Sequence, residues 1–169
     1  RLRLRGAQLG REVPFDADGS FSYERFDERY NADLANSLGN LASRAISMVE
    51  RYCDSVVPAG EPMDLDRADA VDCAEYHASM DGSRGFMLHD GLRRVMACVA
   101  RGNEFVQSQQ PWALAKDPAK RAALEQVLSA IIRQLARHAI YLAPFMPSKS
   151  QELWEQLGGP GRVEDQRFS

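Results

Sequence analysis

Two stretches of this sequence carry side chains whose types and spacing suit recognition of a flat, hydrogen-bonding ligand. The first is Arg29-Tyr30-Asn31-Ala32-Asp33-Leu34-Ala35-Asn36-Ser37-Leu38-Gly39-Asn40-Leu41-Ala42-Ser43-Arg44. Asn36, Asn40 and Arg44 stand at i, i+4 and i+8, so on a helix they form one row. Asn is a poor helix former because its amide competes with the backbone, and three of them in one helix ask for a reason. An amide and a guanidinium one turn apart present a planar set of donors and acceptors suited to the edges of unstacked bases. The plainer alternative is an interhelix hydrogen-bond network with a surface Arg. The second stretch is Gln109-Gln110-Pro111-Trp112-Ala113-Leu114-Ala115-Lys116. A Trp directly after a proline break sits at a corner, where its face can stack on a base. The alternative is a core Trp at a helix junction. On residue types alone both pairs of readings stay open.

Other constellations reduce to ordinary structure. Cys73 and His77 are four apart on an expected helix, but nothing near them completes a set of metal ligands. His89 and His138 are isolated in sequence. The acidic pairs Asp64/Asp66 and Asp69/Asp72 sit near an expected helix start, where carboxylates favour the dipole, so capping is the reading. No GxSxG, phosphate-binding loop or GxGxxG is present. The sequence thus points to no catalytic residues, no metal site and no cofactor in this chain.

The frame that must position the two stretches is helical. With 169 residues, 44% hydrophobic and 27% charged, the chain has the composition of one globular domain with a substantial core. The formal net charge of −3 means that any contact with nucleic acid comes from a local patch. No run approaches the length of a membrane helix, so no membrane association is expected. Three cysteines without CxxC spacing suit reduced thiols and a cytoplasmic location. Beginning with Arg1, the chain reads as an excerpt or processed product of a longer one.

Residues 1–20 read as an extended N-terminal arm: RLRLRG alternates, and Gly6, Gly10, Pro14 and Asp18-Gly19 punctuate it. A first helix is expected over 23–54, with Phe26, Tyr30, Leu34, Leu38, Leu41, Ala45, Met48 and Tyr52 on one side and Gly39 beside the Asn row admitting a close backbone. A loop with Pro58, Gly60 and Pro62 follows. A second helix is capped by Asp64 or Asp66 and ends near Met80. A third spans about 88–109 and stops at Pro111. A fourth opens at Asp117-Pro118, and a last one is capped by Ser148 and ends at Gly158-Gly159-Pro160. The sum is an all-α bundle of four to five helices over 21–158 behind the arm, with a polar tail over 159–169.

Both stretches, at this separation, resemble the anticodon-binding domain of methionyl-tRNA synthetases. That family carries an RYNADLANxLGNLxSR-like helix, then N-x-[YF] with PWxLAK, then PFMPxxSxxLWxxLG. Here residues 29–44, Asn103-Glu104-Phe105 with 111–116, and residues 144–158 match in that order. Arg11-Glu12-Val13-Pro14-Phe15 with Asp18-Gly19-Ser20-Phe21 looks like the family's link from catalytic core to helical domain, with Asp16 where a Gly is usual. The likeness covers about residues 11–167. Pro147-Ser148-Lys149-Ser150 superficially resembles the end of the KMSKS loop of class I synthetases, but it reads as a turn and a helix cap.

The resemblance implies that Asn40 and Arg44 on the first helix, with Trp112 at the corner braced by Pro111, read a CAU anticodon, with Asn36 in the same row. It implies the anticodon loop of tRNA(Met) and the catalytic domain of a synthetase as partners. ATP and methionine would bind in that catalytic domain, which is absent here. The module would select the tRNA for methionine ligation and be inactive alone. Two rival expectations remain: a free-standing relative that binds tRNA or protein without ligase activity, and a structural helical adaptor.

Overall fold

The computed structural model describes residues 37–82 and 86–166. The expected arm over 1–20, the first part of the first helix and Asn36 lie outside these residues. Among the described residues there are five α-helices of 10 to 22 residues and no strand. They are α1 (Asn40–Tyr52), α2 (Asp64–Met80), α3 (Leu88–Gln109), α5 (Arg121–Leu142) and α6 (Pro147–Gln156). A single turn, α4 (Pro111–Leu114), sits between α3 and α5.

The boundaries follow from local chemistry. A π turn over 37–39 leads into α1. Asp54 and Ser55 take left-handed φ of 50° and 61° just beyond its end, and Val56 and Val57 follow in irregular structure. The proline-bearing loop is tied to α5. Arg133 donates to the carbonyls of Gly60 at 2.7 Å and Glu61 at 2.9 Å, and Glu61 N donates to Gln126 Oε1 at 3.1 Å. Asp66 caps α2 from inside, accepting the Met63 N–H at 2.8 Å. Asp117 accepts from Ala119 N at 3.0 Å and starts a 3₁₀ turn, Pro118–Lys120, that feeds α5. The last helix corrects the sequence reading. Its first residue is Pro147 and Ser148 makes no cap, because proline's missing N–H and fixed φ suit the first helical position.

The core is the stripe expected from the apolar spacing. Leu41, Ala45 and Val49 of α1, Leu92, Val95, Val99 and Val106 of α3, and Leu124, Leu128, Ile131 and Leu135 of α5 are all buried. Each fully buried side chain of this kind contributes about 1.5–3 kcal/mol. α5 is the central helix and meets every other described helix of the bundle.

The inner face of α2 departs from expectation. Its buried residues are Leu65, Asp69, Asp72, Tyr76 and Ser79. Asp69 and Asp72 are not capping residues, since they lie inside the bundle and are ion-paired. Arg101 of α3 bridges Asp69 at 2.5 Å and Asp72 at 2.6 Å, and Arg94 reaches Asp72 at 3.1 Å. From α5, Arg137 reaches Asp69 at 3.2 Å and Asp66 at 3.1 Å, and Arg133 reaches Asp66 at 2.9 Å. Gln134, itself buried, donates to Asp69 Oδ2 at 2.7 Å. The carboxylates look like caps in sequence because their partners lie on two other helices.

The tail also differs from a purely polar reading. Val163 is buried, and its N–H donates to Gln151 Oε1 at 2.8 Å, so a 3₁₀ turn over Val163–Asp165 docks on α6.

Candidate nucleic-acid interface

The two stretches meet. α1 presents Asn40 exposed at its first residue and Arg44 half-buried one turn later. The Arg44 guanidinium carbon lies 5.5 Å from the centre of the Trp112 ring. At that range the aromatic face attracts the cation by about 0.5–1 kcal/mol at an exposed site. Trp112 packs against the core and stays partly exposed, with a guanidinium beside its ring.

The corner is built by backbone. Gln110 closes α3 in a left-handed conformation, φ 47° and ψ 58°, which turns the chain sharply. Pro111 then takes the first position of α4, buried, and Trp112 follows it. Asn36 lies outside the described residues. The row expected through it assumes α-helical spacing, whereas the turn before Asn40 is π-helical. A close helix approach is found at Gly102 of α3. A Cβ there would stand 2.1 Å from Gln134 Oε1 and 2.8 Å from Leu41 Cδ2.

Asn103, which the sequence offers only within a motif, touches this region directly. Its Nδ2 donates to the carbonyl of Ser37 at 3.3 Å and to that of Val99 at 3.1 Å. No spacing rule reveals this, because Ser37 and Asn103 are joined only by the crossing of α1 and α3.

The remaining candidates take structural roles. His77 Nε2 lies 3.4 Å from Tyr141 Oη, and Tyr76, His77 and Tyr141 form a ring cluster. Burial pushes the Cys73 thiol up, and the Cys98 thiol up to about 12. Among the described residues no three His, Cys, Asp or Glu are arranged to hold a metal ion. Ser150 is buried inside α6. Burial pushes the Asp66 carboxyl up, but hydrogen bonds from Arg133, Met63 N and Arg137 outweigh it and hold it at about 2. A groove of about 770 Å³ between α1, α5 and α6 involves Ala42, Ile46, Met146 and Leu153, and neither Asn40 nor Arg44 lines it. No helix among the described residues is long and apolar enough to cross a membrane.

The described residues form a helical bundle in which the Arg44 guanidinium lies beside the Trp112 ring, and comparison with known proteins gives the family. The sequence model described as "Anticodon binding domain of methionyl tRNA ligase" matches residues 63–166. A second, "tRNA synthetases class I (M)", matches residues 7–46, so the likeness begins earlier than residue 11. A methionine–tRNA ligase of Halalkalibacterium halodurans is 37% identical across 89% of this chain and 23% of its own length. One from Brucella melitensis is 38% identical across 90% of this chain and 30% of its own. The structure of Mycobacterium tuberculosis methionyl-tRNA synthetase in complex with methionyl-adenylate superposes with a TM-score of 0.84 at 32% identity, covering 94% of this chain and 32% of that one. The chain belongs to the anticodon-binding domain family of methionyl-tRNA ligases. It spans between 23% and 30% of the length of these two curated relatives.

Proposed function

We propose that this chain recognises the CAU anticodon loop of tRNA(Met) and serves as the tRNA-selecting module of a methionyl-tRNA synthetase. The observation that carries the reading is the Arg44 guanidinium lying 5.5 Å from the Trp112 ring, with Asn40 exposed one turn away. A splayed cytosine offers an N4 donor and N3 and O2 acceptors. An amide and a guanidinium can pair with that edge while the indole supplies a stacking face. Holding Arg44 against Trp112 before RNA arrives reduces the ordering cost of binding. A wrong base leaves these groups unpaired, which is how such a site discriminates.

In this reading ATP and methionine bind in the catalytic domain of the parent, and this chain contributes tRNA binding. The purified chain then gives no methionine-dependent ATP–pyrophosphate exchange. The specific test compares wild type with Arg44→Gln on a CAU hairpin and on a hairpin altered at the first anticodon base, at two salt concentrations. Loss of a charge-assisted base contact costs about 1–3 kcal/mol on CAU and much less on the altered loop. Equal losses on both, with a shallower salt dependence, would make Arg44 a phosphate anchor and refute its base-reading role.

A further inference from the structure

We infer that Asn103 is a positioning residue of the recognition corner: by holding the Ser37 carbonyl it sets the π turn over 37–39 and hence the placement of Asn40. The inference rests on the reading of Asn40 as a base contact. Its structural part stands on two hydrogen bonds. Asn103 Nδ2 spans the carbonyls of Ser37, at 3.3 Å, and Val99, at 3.1 Å. An amide nitrogen has two protons, and these two acceptors use both, so the side chain is fixed against its own helix while it reaches across to the neighbouring one.

The geometry around Asn103 makes this pin effective. Gly102, the preceding residue, has no side chain at the crossing, and the fully buried Leu41 sits 2.8 Å from where its Cβ would be. α1 therefore lies close enough to α3 for a short amide to reach the Ser37 carbonyl. Leu41 and Ser37 hold α1 on either side of Asn40, one by packing and one by a hydrogen bond. The π turn lies between them. A π turn is wider than an α turn, is rare, and frequently occurs at functional sites. Removing the Asn103 hydrogen bond from its first carbonyl loosens the turn, and Asn40 stands immediately after it. Arg44 and Trp112 lie farther along and keep their contact.

The test uses the complete polypeptide that carries this chain, with Asn103→Ala, and with Asn103→Asp as a second variant that keeps the size and removes the donor. Amide exchange over 38–42 reports the pin without any RNA, and it is expected to speed up at least tenfold in both variants with global melting nearly unchanged. Affinity for a CAU hairpin is expected to fall about tenfold, and affinity for a hairpin altered at the first anticodon base less than twofold. The decisive comparison is the cycle with Asn40→Ala. If Asn103 acts through Asn40, Asn103→Ala costs nothing further once Asn40 is gone. Additive losses, or equal losses on both hairpins, would overturn the positioning role, and so would unchanged exchange over 38–42. If exchange quickens but Asn40→Ala leaves discrimination intact, the base-reading role of Asn40 fails and the inference falls with it. If wild type binds neither hairpin, the functional reading fails, while the exchange arm still decides whether the pin exists.

Discussion

Arg44 joins two properties in one side chain. Its charge lies close to the Trp112 ring, and its planar fork is what a base edge needs. The two are separable by substitution. Arg44→Lys retains the charge and loses the planar, bidentate geometry, so we expect it to bind RNA with preserved salt dependence and reduced discrimination between first-position bases. Filter binding across a salt series measures both. Trp112 is half-buried, so truncation should divide its cost unequally. Trp112→Ala is expected to weaken hairpin binding by about 1–3 kcal/mol. The melt should fall by less than the 3–5 kcal/mol of a fully buried aromatic. A large stability loss with unchanged affinity would return Trp112 to the core.

At the scale of elements, α2 is held by charge where its neighbours are held by oil. Asp69 is buried against Arg101, Arg137 and Gln134. Replacing it removes the counter-ion and leaves two guanidinium groups facing a neutral site. Asp69→Asn is therefore expected to cost about 3–5 kcal/mol, seen as a lowered urea midpoint. Arg67→Ala, which removes an exposed partner of Asp64, should cost less than about 1 kcal/mol. The crossing of α1 and α3 is tight in the opposite sense. Ala is the better helix former, yet Gly102→Ala should destabilise by about 1–3 kcal/mol, because the new methyl meets Gln134 and Leu41. Calorimetry that found Gly102→Ala more stable than wild type would show that the crossing relaxes freely.

For the whole molecule, stability at mild acid should depend on one buried residue. His138 is buried with no protein partner at either ring nitrogen among the described residues. Burial lowers its pKa from 6.5 to about 4; nearby Asp69 opposes the shift, and Arg137 and Arg101 reinforce it. Between those values the unfolded chain binds a proton that the folded chain does not, so stability falls as pH drops from 6.5 towards 4. The full loss is about 3 kcal/mol. His138→Gln should flatten the denaturation midpoint across that window. Asp66 acts lower. Its folded pKa of about 2 is below the usual 3.8, so its contribution is complete above 3.8 and disappears as pH falls towards 2.

What sequence alone determined was largely what local spacing governs, although the Ser148 cap is a local reading that Pro147 overturns. The apolar periods of α1, α3 and α5, the breaks at Pro58, Pro111 and Pro144, and the Asn40–Arg44 step all follow from 3.6 residues per turn and from proline's missing donor. Ordered short motifs also sufficed to place the chain in its family. Tertiary structure alone decided which distant groups meet. Arg44 and Trp112 share no local rule. Asp69 and Asp72 look like caps until α3 and α5 supply their arginines, and Val163 looks like part of a polar tail until α6 receives it. Asn103 gains its contact with Ser37 beside the point where Leu41 of α1 packs over Gly102 of α3. The reason is common to all four. Periodicity reports which side of a helix is apolar, whereas the partner of a buried polar group is set by helix crossings, and those are fixed only when the whole core packs.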